Sequence, residues 1–243
     1  MPDQTALPDS RPTRSPLEAV LFDFHGTLAQ VEDPVEWVVA AAEECGVTLD
    51  RGRATVLADR LVTAGRAGGP VPRRVPPHLA ELFADRDLYE HAHRAAYIGL
   101  AETVGAGVEG FEEALYGRLL RPDGWVLYAD TAGTLTALKE AGVPVAVVSN
   151  IGFDIRPLFD AWGFAGLVDA YVLSYEVGRT KPDPAIFLRA CGALGVEPER
   201  ALMVGDTPAD AGAVRAGLAA LVLPAADPGK SNGLAAVLNL TAP

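Results

Sequence analysis

Reactive side chains follow four apolar runs of this sequence, at the points where those runs end. They are Asp23 and His25 after the first run, Ser149 and Asn150 after the second, Lys181 in the region after the third, and Asp206 and Asp210 after the fourth. Asp23 and His25 are two residues apart, so an extended backbone would point a carboxylate and an imidazole to the same side. Open parallel sheets bind ligands where their strands end at the carboxyl edge. We therefore expect the four groups to form one site.

Five short apolar runs predict the strands that position these groups. The runs are residues 19–22, 143–148, 170–173, 201–204 and 219–223. Each is apolar throughout rather than alternating, which is typical of parallel strands covered on both faces. Helical stretches lie between them, at residues 131–141, 157–162, 185–194 and 209–216. This alternation predicts an α/β fold with a doubly wound parallel sheet.

Residues 29–123 interrupt the alternation, because they contain helical patterns and no convincing buried strand. Four helices are predicted there: one from Asp33-Pro34 to Gly46, one from Asp50 towards Gly65, and two with apolar stripes over residues 87–104 and 111–119. Residues 68–77 are rich in glycine and proline, which predicts an exposed connector. We expect residues 29–123 to form a helical lobe inserted into a core made of residues 17–28 and 124–243.

Composition restricts the class of protein. The chain has 243 residues, 49% of them hydrophobic, enough for a sizeable core. Its net charge of −12 disfavours nucleic acids and anionic membranes as partners, and means that an anionic substrate would need local cations. No apolar run could span a bilayer or serve as a signal peptide, and two cysteines cannot form a disulfide framework. We expect a soluble cytoplasmic protein, with residues 1–16 as a flexible, proline-containing tail.

The four polar segments resemble the motifs of the haloacid dehalogenase superfamily of hydrolases. The segments are Asp23-Phe24-His25-Gly26-Thr27-Leu28, Val148-Ser149-Asn150, Lys181-Pro182-Asp183-Pro184 and Gly205-Asp206-Thr207-Pro208-Ala209-Asp210. They occur in the order found in that family and cover the chain from about residue 20 to residue 223. The resemblance implies a Rossmann-like core with a helical cap inserted after the first motif, which is the lobe expected at residues 29–123.

The resemblance also implies a reaction and a role for each group. In that family an aspartate attacks phosphorus, which implies that Asp23 forms an aspartyl-phosphate. The implied Mg²⁺ ligands are Asp23, the main-chain carbonyl of His25, Asp206 and Asp210. Lys181 and Ser149 would contact the phosphoryl group as catalytic residues, and further phosphate-binding groups would come from Gly26, Thr27 and Asn150. The expected substrate is a small phosphorylated metabolite. Mg²⁺ and a lysine would cancel the repulsion between its phosphoryl group and the attacking carboxylate.

Two of these positions have other interpretations. Asp210 also fits the first turn of a helix that begins with Thr207-Pro208, so a capping role alone would explain it. His25 stands where phosphatases of the superfamily usually have a second aspartate as acid and base. Histidine titrates near pH 6.5 and could replace that aspartate, and we expect opposing charges to keep the pKa of His25 within one or two units of this value in the metal-bound enzyme.

Three functions remain open from the sequence. The first is the Mg²⁺-dependent phosphatase. The second is a metal-free 2-haloacid dehalogenase, in which Asp23 would attack carbon, and the third is a degenerate member that binds a phosphorylated ligand without turnover. Asp206 and Asp210 would leave uncompensated negative charge at a metal-free site, which favours the phosphatase. On the expected cap, His91, His93 and Arg94 are candidates for contact with the substrate.

Overall fold

Five of the seven strands form one parallel sheet in the computed structural model, which describes residues 17–241. The strands are β1 (Ala19–Phe22), β2 (Ala29–Val31), β3 (Trp125–Leu127), β4 (Val145–Ser149), β5 (Ala170–Leu173), β6 (Ala201–Gly205) and β7 (Ala219–Val222). The five predicted runs are thus the five strands of this sheet. The tail expected over residues 1–16 lies outside the described residues.

The sheet order is β5-β4-β1-β6-β7, so β1 lies at the centre. Phe22, its last residue, is opposite Val147 of β4 and Val204 of β6, and both pairings are parallel. The residues that follow β1, β4 and β6 therefore emerge side by side at one edge of the sheet. This is the edge at which the sequence predicts a site.

Both faces of the sheet are covered, which explains why the strands are apolar throughout. Val20 and Phe22 of β1 belong to one buried cluster, and Leu21 between them belongs to another on the opposite face. The helices of this part are α6 (Thr131–Glu140), α7 (Arg156–Ala161), α8 (Ser174–Val177), α9 (Pro184–Leu194), α10 (Pro208–Ala211) and α11 (Leu238–Thr241). The Rossmann-like α/β class is confirmed, although the helix predicted over 209–216 is α10 followed by a 3-10 turn.

Five helices lie between β2 and β3. They are α1 (Pro34–Glu44), α2 (Arg51–Ala64), α3 (Ala80–Asp85), α4 (Glu90–Glu102) and α5 (Phe111–Leu119). The predicted caps are present, since the Asp33 side chain accepts from the amides of Val35 and Glu36, and that of Asp50 accepts from the amide of Arg53. These helices also contribute a separate buried cluster that includes Trp37 and Phe111. The division of the chain into a core and a cap stays a prediction.

The sequence patterns do not predict the short strands β2 and β3 or the short helices α3, α8 and α11. The interval 29–123 was expected to contain no strand, but it begins with β2, which pairs antiparallel with β3. A strand of three residues is too short to show a hydrophobic period, and that is why this expectation was wrong. The helix α3 follows a proline-rich segment and, with six residues, is also too short to show a clear hydrophobic period. Within residues 17–241, every helix is too short or too polar to cross a bilayer.

Candidate active site

Lys181 lies at the centre of the polar groups that the sheet edge brings together. Its Nζ is 2.7 Å from Oδ1 of Asp23, which follows β1, and 2.7 Å from Oδ1 of Asp210, in the first turn of α10. Lys181 is 5% exposed and Asp210 is fully buried. Burial alone would lower the pKa of Lys181, but attraction to the two carboxylates reverses the effect and raises it. The ammonium group is therefore held in its charged form between two acids.

Asn150 fixes the backbone of Lys181. Its side-chain Oδ1 accepts from the Lys181 amide at 2.7 Å, and its Nδ2 donates to the Lys181 carbonyl at 3.0 Å. Asn150 follows β4 directly, so the pair of hydrogen bonds ties the loop that carries Lys181 to the central part of the sheet. The side chain of Asn150 is thus used to position Lys181. Ser149, the last residue of β4, is buried beside it in sequence.

Asp206 completes a cluster of three acids. Each of Asp23, Asp206 and Asp210 offers one carboxylate oxygen, and these oxygens lie within 4.8 Å of one another. Oδ1 of Asp206 is buried and has no hydrogen-bond partner among the described residues. Burial and repulsion by the other two carboxylates raise the pKa of Asp206 to about 7. A buried oxygen of this kind needs a partner, and hard carboxylate oxygens suit a divalent cation such as Mg²⁺.

Asp210 contacts Lys181 through one carboxylate oxygen and caps the start of α10 through the other. Its Oδ1 contacts Lys181, while its Oδ2 accepts from the Thr207 amide at 3.0 Å and from the Thr207 hydroxyl at 2.7 Å. These bonds form a capping box at the start of α10. Burial would raise the pKa of Asp210, but Lys181 and Thr207 together lower it. The helix start thus holds the carboxylate in place for Lys181.

The loop after β1 differs from the expectation at Gly26 and Thr27. The Gly26 amide donates to the Ala29 carbonyl at 2.8 Å, and the Thr27 amide donates to the Phe24 carbonyl at 3.3 Å. Both amides are therefore engaged within the loop, and the phosphate-binding role of Gly26 and Thr27 stays a prediction. The Thr27 hydroxyl is buried without a partner among the described residues. Gly26 has another function, because its φ is 83° and a Cβ there would lie 2.3 Å from Oδ2 of Asp206.

A residue near the end of the chain holds the same loop. Asn232 donates through Nδ2 to the carbonyls of Gly26 (3.1 Å) and Thr27 (3.0 Å). The main-chain amide of Asn232 donates to the carboxylate of Asp130, which also accepts from the main-chain amide of Leu234. Sequence analysis missed Asn232, since a single asparagine in a loop gives no signal of a partner more than 200 residues away.

His25 is half-buried, and its imidazole faces the segment that follows α2. A Cβ built on Gly68 would lie 2.9 Å from Nε2 of His25, and the Trp125 ring packs edge-on against the imidazole. Nε2 is buried and has no hydrogen-bond partner among the described residues. Burial lowers the pKa of His25 to about 4, below the range expected for the metal-bound enzyme.

A cavity of about 320 Å³ lies between the sheet edge and the helices. His25, Asn150 and Thr207 line it from the sheet edge. The facing wall includes Arg66, Arg86 and His93. Of the three candidates proposed on the helical lobe, only His93 lines this cavity, whereas His91 is exposed and Arg94 pairs with Glu113 on the surface. A larger depression of about 740 Å³ lies elsewhere, between α2 and residues 105–108.

Comparisons with known proteins agree with this geometry. The chain is 41% identical over 84 residues to a phosphoglycolate phosphatase of Aquifex aeolicus, a match that covers 34% of this chain and 39% of that protein. It is 27% identical over 195 residues to a glyceraldehyde 3-phosphate phosphatase of Methanopyrus kandleri, which covers 78% of this chain and 76% of the relative. The match to the Aquifex protein thus spans about two fifths of that relative's length.

Solved structures show the same fold. A crystal structure of a dehalogenase with an intermediate complex superposes with a TM-score of 0.65 at 24% identity, covering 93% of this chain and 98% of the other. The sequence profile of haloacid dehalogenase-like hydrolases matches residues 17–217, which include all four polar segments of the sheet edge. The chain therefore belongs to the haloacid dehalogenase-like hydrolase family.

Proposed function

We propose that the protein is a Mg²⁺-dependent phosphatase that hydrolyses a small phosphorylated metabolite through an aspartyl-phosphate on Asp23. One observation carries the proposal: the Lys181 ammonium and three carboxylates, two of them buried and that of Asp206 partly buried, lie together at the edge of the sheet. Phosphoryl transfer from an anionic ester needs a nucleophile and positive charge at the same place. The relatives named as phosphatases support the same reaction.

The acids of the cluster fit a Mg²⁺ ion. Oδ1 of Asp206 is buried without a partner, and one lysine shared by Asp23 and Asp210 leaves net negative charge in the cluster. Asp23, Asp206 and Asp210 would hold the ion, with the His25 carbonyl as the further ligand that the family resemblance implies. When bound, Mg²⁺ supplies positive charge that offsets the phosphoryl oxygens.

The protein's own groups then account for two half-reactions. An Asp23 carboxylate oxygen forms a bond to phosphorus while the bond to the leaving oxygen breaks, and Lys181 stabilises the charge on the phosphoryl group. Ser149 donates a hydrogen bond to a phosphoryl oxygen. We assign proton transfer to His25, whose Nε2 is unpaired among the described residues. The protonated form of His25 gives a proton to the leaving oxygen, and the neutral form, which its pKa of about 4 favours near neutral pH, accepts a proton from the water that cleaves the aspartyl-phosphate.

The cavity supplies a place for the leaving group. We propose that residues 29–123 act as a cap over a core of residues 17–28 and 124–243, and that the substrate binds in the 320 Å³ cavity between them. Cys45 and Cys191 are free thiols, which suits a reducing compartment such as the cytoplasm.

A metal-free 2-haloacid dehalogenase is the second candidate, because several structural neighbours are dehalogenases. Their identity is below 25%, so they support the fold rather than this activity. Such an enzyme would keep the buried Asp206 beside Asp23 and Asp210 with no cation besides Lys181. That cost in free energy favours the phosphatase.

The test is phosphate release from a panel of phosphomonoesters by the purified full chain, with Mg²⁺ or with a chelator. We expect turnover only with Mg²⁺, and a loss of more than about 100-fold, or about 2.7 kcal/mol in the barrier, in Asp23→Asn. Asp160→Asn, at an exposed position of α7, is the matched control and should keep full activity. Halide release from haloacids in the presence of chelator would establish the dehalogenase instead, and ligand binding without turnover would indicate the degenerate member.

A further inference from the structure

Arg66 is a buried cation in the cavity wall that the proposed mechanism does not use. It follows α2, is 5% exposed, and lines the 320 Å³ cavity together with His25 and Asn150. Because the cavity begins at the sheet edge, a substrate held at Asp23 would extend its leaving group towards this wall. Arg66 is therefore placed to contact the part of the substrate that differs from one phosphate ester to another.

The charge of Arg66 has no acidic partner within 4 Å among residues 17–241. Two acids, Glu32 and Asp33, attract this charge from farther away. The carboxylate of Glu32 accepts from Arg118 at 2.5 and 2.7 Å, and that of Asp33 accepts from the amides at the start of α1. Arg66 donates through Nη1 only to the Glu32 main-chain carbonyl, at 3.3 Å. A buried guanidinium with no carboxylate in contact is incompletely compensated, so an anion that enters the cavity would be attracted to it.

The guanidinium is held in a fixed orientation. Its Cζ lies over the Trp37 ring at 4.2 Å from the ring centre, and Trp37 is itself fixed by a hydrogen bond from Nε1 to the Leu115 carbonyl at 2.9 Å. Stacking uses the face of the guanidinium and leaves its in-plane N–H groups for an acceptor. Gly69 allows the following loop to lie close, since a Cβ there would be 2.7 Å from Cγ of Arg66.

The rest of the wall indicates how much negative charge the cavity accepts. Arg86 also lines it, but its Nη2 lies 3.4 Å from the carboxylate of Asp87, which already compensates that cation. One uncompensated guanidinium in a small cavity matches a singly charged planar group, a carboxylate, better than a second phosphate.

We propose that Arg66 binds a carboxylate on the leaving group, so that the preferred substrates are small phosphomonoesters with a carboxylate close to the phosphate. The inference rests on the proposed phosphatase function and narrows its substrate class. It makes Arg66 a specificity-determining residue, which acts on recognition of the leaving group and leaves the transfer of the phosphoryl group to the sheet edge.

The kinetic test uses two substrates with the same CH2–O–phosphate unit, 2-phosphoglycolate and ethyl phosphate, of which the first carries a carboxylate where the second carries a methyl group. The native enzyme should prefer phosphoglycolate at least about 10-fold in kcat/KM, as expected for a hydrogen-bonded charge pair. Arg66→Met keeps an apolar stem against Trp37, and should remove most of this preference through KM while ethyl phosphate turnover changes less than about 3-fold. Arg66→Gln is the second variant if the methionine variant does not fold.

Arg60→Met is the matched control. Arg60 lies on α2 and also donates to a main-chain carbonyl, that of Val104, but it lines the other depression. This control variant should have the native kcat/KM for both substrates. Equal kcat/KM of the native enzyme for the two substrates, or an equal loss for both in the Arg66 variants, would show that Arg66 only supports the fold.

A binding experiment separates this inference from the proposed function. The unreactive pair 3-phosphonopropionate and propylphosphonate carries the same difference in charge, and their binding with Mg²⁺ is measured by calorimetry. The native protein could bind 3-phosphonopropionate more tightly, lose this preference in Arg66→Met, and hydrolyse no ester. That result would reject the phosphatase and keep the role of Arg66. Hydrolysis without preference in either experiment would keep the phosphatase and reject the role of Arg66.

Discussion

The sheet edge and the helical wall of the cavity treat buried ionisable groups in opposite ways. At the edge, Lys181 contacts both Asp23 and Asp210, so a cation of the protein itself lies between two of the three acids there. In the wall, Arg66 has no carboxylate within 4 Å among the described residues, and burial lowers the pKa of His93 to about 3, which keeps it uncharged. The part proposed to perform the chemistry thus contains a contacting counter-charge for two of its acids, while the part proposed to recognise the substrate leaves that role to the ligand.

The largest effect on stability should come from breaking the compensation at the sheet edge. Lys181→Met would leave Asp23 and Asp210 buried without their cation, at a cost of about 3–5 kcal/mol in the free energy of unfolding. Urea denaturation in chelator-containing buffer measures this. The matched control is Lys139→Met, which removes an exposed ion pair with Asp169 (2.9 Å) and should cost about 1 kcal/mol or less. If the two variants lost equal stability, the edge would not depend on internal compensation.

A smaller effect should appear in the wall, as a pH dependence due to His93. This side chain is buried on α4, and its Nδ1 is 2.9 Å from the Tyr116 hydroxyl. Its pKa of about 3 in the folded protein lies below the unfolded value near 6.5. Only the unfolded chain takes up this proton between those values, so stability is fully present above pH 6.5 and falls as the pH decreases towards 3.

His93→Phe should remove this pH dependence. Between pH 7 and pH 5 we expect the native protein to lose about 2 kcal/mol more than the variant. The exposed His91 serves as the control, since His91→Gln should retain the native pH dependence. Parallel stability curves for the native protein and His93→Phe would mean that the pKa of His93 is the same in the folded and unfolded protein, and the contrast with the edge would disappear.

The smallest expected effect distinguishes two acids of the same cluster. Asp206→Ala should raise the Mg²⁺ concentration for half-maximal activity at least about 10-fold, equivalent to about 1.4 kcal/mol, with little change in melting temperature. Asp210→Ala should raise it as well but also lower the melting temperature, because Asp210 caps α10 through Thr207. Unchanged Mg²⁺ dependence in both variants would contradict their assignment as ligands.

The sequence predicted the parts of the site that follow from strand order. Asp23, Lys181 and Asp210 meet because the central strands end side by side, and a continuous apolar run followed by a polar residue reveals such an end. The hydrogen bonds of the Gly26 and Thr27 amides within the loop after β1 could not be predicted, since they depend on the exact path of that loop. The roles of these residues in catalysis stay predictions.

Arg66 and Asn232 represent the part that sequence patterns could not supply. The burial of Arg66 against Trp37 depends on how α1 and α2 pack, and Asn232 reaches the loop after β1 from the other end of the described chain. Neither residue lies in a motif or on a periodic stripe. Contacts of this kind depend on tertiary packing, so only a structure reveals them.

The central position of β1 also has a consequence during protein synthesis. β1 leaves the ribosome before either of its neighbours, β4 and β6, which begin more than 120 residues later. A nascent chain therefore cannot pair β1 in the sheet until residues 145–149 have been made, and Asp206, Asp210 and Asn232 emerge later still. Chains released early lack part of the acidic cluster, so a truncated translation product of this protein would not be a partly active hydrolase.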